Sequence, residues 1–286
     1  MPITSAKLGR AATLALGCWL AVVSAHVARA AEALRVGMVP DAGATQVSIE
    51  QKGPLQQYLE QQMGMPVQLV IPTSYNATVE GLGNDSLDVA YLGGLTFVKA
   101  HELYGAMPLV QRKVDTQFHA LFIARQSAGI RTLADLKGKT FCFGDINSTS
   151  GHLFPYLAMK RVGVFSALKS FRYTGSHVAT AQAVAAGVCD AGSLDETVYH
   201  SLIDTGKIPA SQMQVFYTTP PFADYVWAAR RNLSPAVRQK LTAAFLRLEP
   251  GRDGAILDVL RGEHFVRANT DEYRQVRQVA QQLGLM

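Results

Sequence analysis

From residue 33 onward, apolar runs of strand length alternate with segments of helical length, and the same order is followed twice. In the first round "ALRVGMVP" (33–40) reads as a strand, "GPLQQYLEQQMG" (53–64) as a helix closed by Gly64, and "PVQLVIPT" (66–73) as a strand. "YNATVEGLGND" (75–85) reads as a short helix and "LDVAYLG" (87–93) as a third strand. The second round runs through "LKGKTFCFGD", "GHLFPYLAMKRVG", "SFRYTGS", "ATAQAVAAG" and "VCDAGSLD". A βαβαβ order demands parallel strands joined by helical crossovers, so the expectation is an α/β chain with two lobes.

The segments between the rounds, "FHALFIARQ" (118–126) and "VFYTTPPFADYVWAARR" (215–231), are apolar and strand-like, unlike flexible linkers. They read as two crossings: the chain leaves the first lobe and later returns. The expected division is residues 31–122 with 227–286 for one lobe and 123–226 for the other. Near the end, "SPAVRQKLTAAFLRL" opens on a Ser-Pro helix start, and "TDEYRQVRQVAQQLGL" reads as a helix capped by Thr270 with Glu272 beside it. Two lobes on two crossings leave a cleft that can close on a ligand.

Residues 1–30 read as an export signal: Lys7 and Arg10, an apolar run, then Ala28 and Ala30 at small-residue cleavage positions. The run is too short to span a bilayer. Cys18 has Ala15 three residues before it, where a lipoprotein signal carries Leu. A periplasmic location follows as the expectation. The signal also holds Lys7, Arg10 and Arg29 and no acid, so the 27 basic residues of the whole chain become 24 against 22 acidic ones. The remaining excess is too small to mark a nucleic-acid binder.

Export also changes the cysteine arithmetic, because Cys142 and Cys189 then face an oxidising compartment. In a right-handed parallel order their strands, "TFCFG" and "VCDAG", are expected neighbours about 4.8 Å apart, a spacing a disulfide can bridge. Two buried free thiols are the alternative.

The stretch "GDINSTSGHLFP" (144–155) follows the first strand of the second lobe and opens a helix. Open α/β sheets place their binding crevice there, and the unpaired N–H groups of a helix start favour an anion without a lysine. Ser148, Thr149 and Ser150 add three hydroxyl donors, although a helix cap requires only one. Pro155 predicts a kink or restart in the helix that follows.

This stretch resembles the Ser-Thr-Ser anion loop of phosphite and phosphonate periplasmic binding proteins. "TSYNATVEGL", "LDVAYLGGLTFV", "ADLKGKTFCFGD", "GSHVATAQAVAAGVCDAGSLDE" and "YVWAARRNLSP" resemble further blocks of that family in the same order, over most of residues 35–240. The resemblance implies a two-lobed, cluster-type (type II) binding-protein fold that holds a small oxyanion and hands it to the membrane permease of an ABC importer. It implies that Tyr75 and Tyr91 face Ser148, Thr149, Ser150 and His177 across the cleft. Asp224, in "PPFADY", matches an aspartate of phosphonate binders. Beside an anion, an aspartate has work only as acceptor for a protonated ligand oxygen. Asp195 and Glu196 are candidates for the same part, or acids facing solvent.

The chain departs from the family at "GGLTF" (93–97), where proline and tyrosine are usual. Variants of this wall resemble binders and sensors of other oxyanions, so a receptor that docks on a sensor kinase, with arsenite as a possible ligand, is the rival binding function. Arsenite would require a free thiol at the cleft. "LKGKT" has Leu133 where a phosphate-binding P-loop requires its first glycine, and neither a nucleophile elbow nor a metal-ligand spacing occurs. An enzyme acting on a phosphonate or ester through Ser150 and His177 would lack an evident third member. The expectation is a monomeric binding protein with no cofactor and no catalytic residue.

Overall fold

A computed structural model describes residues 32–40 and 49–286. The export signal and Cys18 lie outside them. Glu32–Met286 form one compact unit. No helix among the described residues is long and apolar enough to cross a membrane.

The first round folds as read. Strand β1 (Leu34–Met38), helix α1 (Gly53–Met63), β2 (Val67–Val70), α2 (Tyr75–Gly83) and β3 (Val89–Leu92) follow in order, with β1 pairing in parallel with β2 and β3. Pro54 opens α1 and Gly64 closes it at φ 67°, a conformation that costs glycine little. Leu55, Leu59 and Met63 form the buried stripe of α1, at the four-residue spacing that fixes one helix face. Ser74 caps α2 by accepting the Ala77 amide.

Then come α3 (Gly94–Tyr104), β4 (Met107–Arg112) and β5 (Ala120–Arg125), and the second round: β6 (Thr140–Phe143), a π-helical turn (Thr149–Leu153), α4 (Phe154–Arg161), β7 (Ser170–Tyr173), α5 (His177–Ala185) and β8 (Ala191–Asp195). The break expected at Pro155 is this change from π turn to α-helix, with the proline in the first turn of α4, where its missing N–H costs nothing. Helix α6 (Glu196–Asp204), β9 (Met213–Thr218), β10 (Val226–Ala229), α7 (Pro235–Leu246), α8 (Pro250–Leu260), β11 (Phe265–Arg267) and α9 (Arg274–Gln282) complete the chain.

Two sheets result, in the orders β11-β4-β10-β3-β1-β2 and β7-β6-β8-β5-β9. They are mixed, where the sequence suggested parallel ones. Strands β10 and β5, one from each crossing, run antiparallel inside the two sheets: β10 between β3 and β4, and β5 between β8 and β9. A chain that enters a sheet from the opposite lobe arrives pointing the other way. The expected lobe boundary at 122/123 falls inside β5 and that at 226/227 inside β10. Between the sheets the two crossings touch as an antiparallel bridge, Phe118 to Phe222.

The cap expected at Thr270 belongs to its neighbour. Asn269 accepts the Glu272 amide and the Glu272 carboxylate returns to the Asn269 amide, a reciprocal box that fixes the start of the helical turn one residue earlier.

The apolar core of the first sheet also takes in Leu153, Phe154 and Leu157 from the far side of the crossings, with Phe154 stacked on Phe222 at 4.0 Å between ring centres. In the second sheet Cys142 pairs with Gly192 across β6 and β8. A disulfide joins Cys142 to Cys189, their Cα atoms 5.9 Å apart.

Candidate functional site

Five helical segments begin where the two lobes meet, and each carries a candidate residue or a contact at its first turn. Tyr75 is the first residue of α2, Gly93 caps α3, Ser148 caps the π turn, His177 follows the Ser176 cap of α5, and Asp195 caps α6. First-turn amides lack intrahelical partners, and the helix dipole adds partial positive charge. Such helix starts favour negative charge nearby.

All seven expected binding residues are buried. Ser148 Oγ lies 3.5 Å from His177 Nε2, and Tyr225 Oη lies 3.1 Å from the same nitrogen. The Asp195 amide donates to His177 Nδ1 at 3.3 Å, so in the neutral ring the proton sits on Nε2 and faces Ser148 and Tyr225. The Tyr75 ring stands edge-on to His177 at 6.5 Å, and Tyr91 stacks on Tyr225 at 5.0 Å. First-lobe and second-lobe candidates therefore meet directly.

Thr149 and Asp224 are placed differently from the two serines. Thr149 Oγ1 accepts the Leu95 amide of α3 at 3.0 Å and its hydroxyl helps to hold the Asp224 carboxyl down, while the Gly94 amide donates to Asp224 Oδ1 at 2.8 Å. Two first-turn amides of α3 are thus taken up by the opposite lobe and the crossing. Lys99, further along α3, donates to Asn147 Oδ1 at 2.7 Å and extends the same seam. The Gly93-Gly94 pair permits the approach: a Cβ on Gly94 would stand 2.9 Å from the Ala223 carbonyl oxygen, and one on Gly93 3.3 Å from Thr149 Oγ1.

Three buried polar atoms of the group, Ser150 Oγ, Asp224 Oδ2 and Asp195 Oδ2, have no hydrogen-bond partner among the described residues. Such atoms are costly in a protein interior and mark a place where a ligand is expected. Burial pushes the Asp224 carboxyl up to about 7, against the Gly94 amide and the Thr149 hydroxyl, which hold it down. Near neutral pH it can therefore either donate or accept a proton. Asp195 Oδ1 is committed to capping α6 through the Val198 amide. Glu196 accepts the His119 amide outside the group.

Two contributors were not singled out from sequence. Tyr225 directly follows Asp224 in the "PPFADY" stretch, but only folding brings it to His177. Arg112 lies fully buried beneath the rings of Tyr91, Phe118 and Tyr225, 5.2 to 5.8 Å from their centres, bonded to the Asp115 carboxylate and to the last carbonyls of α8. Its charge is spent on these partners, and its place is that of a support under the aromatic wall. Both cysteines of the described residues are in the disulfide, so these residues offer no thiol to a thiol-seeking ligand. No cluster of metal-ligating side chains occurs among the described residues.

Comparison with known proteins bears on the fold and the family. The chain is 27% identical over 281 residues to a probable ABC transporter phosphite-binding protein, PhnD1, of Prochlorococcus marinus, covering 92% of this chain and 94% of the relative. It is 31% identical over 207 residues to the phosphate-import protein PhnD of Mycolicibacterium smegmatis, covering 67% of this chain and 64% of that one. The crystal structure of the Prochlorococcus PhnD1 in complex with methylphosphonate superposes with a TM-score of 0.83 at 26% identity, over 89% of this chain and 99% of that one. A family model described as the periplasmic substrate-binding protein of phosphonate ABC transporters matches residues 36–273, and the chain belongs to that family.

Proposed function

We propose that this protein is exported and binds a phosphorus oxyanion, phosphite or a small phosphonate, between its lobes, then delivers it to the membrane permease of an ABC importer. The observation that carries the reading is the set of three buried, unpartnered polar atoms at Ser150, Asp224 and Asp195, ringed by helix starts. In this reading Ser148, Ser150, His177, Tyr75 and Tyr91 direct donors at the anion, with the loop amides beside them. Thr149 holds the lobes together and orients Asp224. Asp224 Oδ2 accepts the proton of a P–OH group or, when protonated, donates to a bare P–O oxygen. Sulfate has no such proton at neutral pH, so the ionised carboxylate opposes it and only the protonated form accommodates it. The methylphosphonate complex of the Prochlorococcus relative, at similar fold and length, supports a ligand of this size.

Calorimetric titration with phosphite, methylphosphonate, phosphate, sulfate and arsenite tests the proposal. The expected result is tighter binding of phosphite or methylphosphonate than of sulfate. Equal affinity for sulfate, or a preference for arsenite, would overturn it.

A further inference from the structure

His152 lies in the π turn, buried, and its ring bonds to partners outside the group formed by Ser148, His177 and Tyr225. Its Nδ1 is 2.8 Å from the carbonyl oxygen of Ile146, six residues earlier. A carbonyl only accepts, so Nδ1 carries the hydrogen, and in a neutral ring Nε2 is left as an acceptor. The Tyr173 hydroxyl meets that nitrogen at 3.0 Å. The ring is also clamped between aromatic neighbours, stacked on Tyr156 at 5.5 Å and edge-on to Phe143 and Tyr173 at 5.1 Å each. Burial lowers the imidazole pKa to about 4, so the ring stays neutral and keeps both bonds at neutral pH.

These contacts close residues 146–152 into a ring that carries the two serines. Inside it the Leu153 amide bonds to the Ser148 carbonyl at 3.0 Å, the five-residue step of a π turn, and the Gly151 amide bonds to Ser148 Oγ at 2.9 Å. Gly151 is tied down in turn by Gly144 and by the Ser193 hydroxyl. An α-helical turn over the same residues would rotate the side chains that follow Ser148 and shift Ser150. The Ile146 bond therefore bears on where the donors point.

We propose that His152 is the positioning residue of the oxyanion loop: by donating to Ile146 and accepting from Tyr173, it holds the π turn that aims Ser148 and Ser150 into the cleft. This role rests on the oxyanion reading of the cleft, and two measurements separate the two claims. An asparagine amide nitrogen stands near the position of a histidine Nδ1, whereas phenylalanine keeps the ring and loses both polar atoms. In His152→Phe, hydrogen exchange of peptides covering 144–153, measured without ligand, is expected to quicken at least about tenfold, while the rest of the second lobe keeps its protection. Phosphite affinity is expected to fall at least about tenfold. His152→Asn is expected to recover most of both.

Unchanged exchange in the loop of His152→Phe would overturn the positioning role whatever the protein binds. So would wild-type phosphite affinity in that variant, or loss in His152→Asn as deep as in His152→Phe. A wild-type protein that binds no phosphite, phosphonate or phosphate would overturn the oxyanion reading, and the exchange comparison would still decide whether His152 holds the turn. Should His152→Phe fail to fold, Tyr173→Phe, which removes only the hydroxyl donor, is expected to show the same loop-confined change at smaller size; its absence would count against the proposal.

Discussion

The Gly94 amide donates to Asp224 Oδ1 at 2.8 Å, which ties the first turn of α3 to the second crossing. The bond requires a close approach, since a Cβ on Gly94 would lie 2.9 Å from the Ala223 carbonyl oxygen. Gly94→Ala is therefore expected to keep the fold of each lobe but to hold them apart, at a cost of about 1 to 3 kcal/mol to the closed form. Titration should show phosphite affinity lower by about fivefold to a hundredfold. Wild-type affinity in the variant would show that the approach at Gly94 plays no part in closure.

Replacing both Ser148 and Ser150 by alanine removes two donors to an anion, each worth about 1.5 to 3 kcal/mol. Affinity should fall at least about a hundredfold in a protein whose circular dichroism is unchanged. Ser148 also caps the π turn through the Gly151 amide, so its single variant should cost some stability as well. The Ser150 hydroxyl has no hydrogen-bond partner among the described residues, and Ser150→Ala should reduce affinity without lowering the melting temperature.

The raised pKa of Asp224 gives a stability profile of definite sign. In the unfolded chain its carboxyl titrates near 4, as ordinary aspartates do, whereas burial pushes it up to about 7 in the folded protein. Between those values the folded state holds the proton and the unfolded state does not. Stability must then fall as pH rises from about 4 to about 7. In urea denaturation of ligand-free protein, Asp224→Asn should flatten that decline relative to wild type. Parallel pH profiles for the two proteins would refute the shift.

The disulfide closes a separation of 47 residues. On the chain-entropy model a loop of that length stabilises by about 4 kcal/mol, less any native-state strain. Cys142→Ala with Cys189→Ala should lower the unfolding free energy by about 2 to 4 kcal/mol and leave phosphite affinity intact, because the bond lies within the second-lobe core. Alkylation of the unreduced mature protein followed by mass spectrometry should find neither cysteine modified.

What could be read from the sequence was local. The Ser-Pro helix start at Ser234, the helix closure at Gly64 and the apolar strands each depend on a few adjacent residues, and each took the expected form. The Ser148 to Ser150 stretch stood out for the same reason. The direction of β5 and β10 depends on the lobe from which the chain arrives, and no short window contains that. Tyr225 sits beside Asp224 in sequence, but its bond to His177 spans 48 residues and joins the second crossing to α5. The choice of Asn269 over Thr270 turned on the reach of the Glu272 carboxylate, since either residue is a competent cap. Helix α8 carries Gly251 and Gly254, which hide it from propensity, and burial of Leu257 and Leu260 sustains it.

Because the disulfide takes up Cys142 and Cys189, the chain from residue 32 onward offers no thiol to an alkylating dye. A single cysteine introduced at Ile146, 47% exposed and held through its carbonyl by His152, would be the one labelling point on a rim of the loop. If oxyanion binding closes the lobes, a maleimide fluorophore there is expected to change its solvent exposure and hence its emission. The protein would become an optical reporter that follows oxyanion arrival and departure in real time without radioactive tracer.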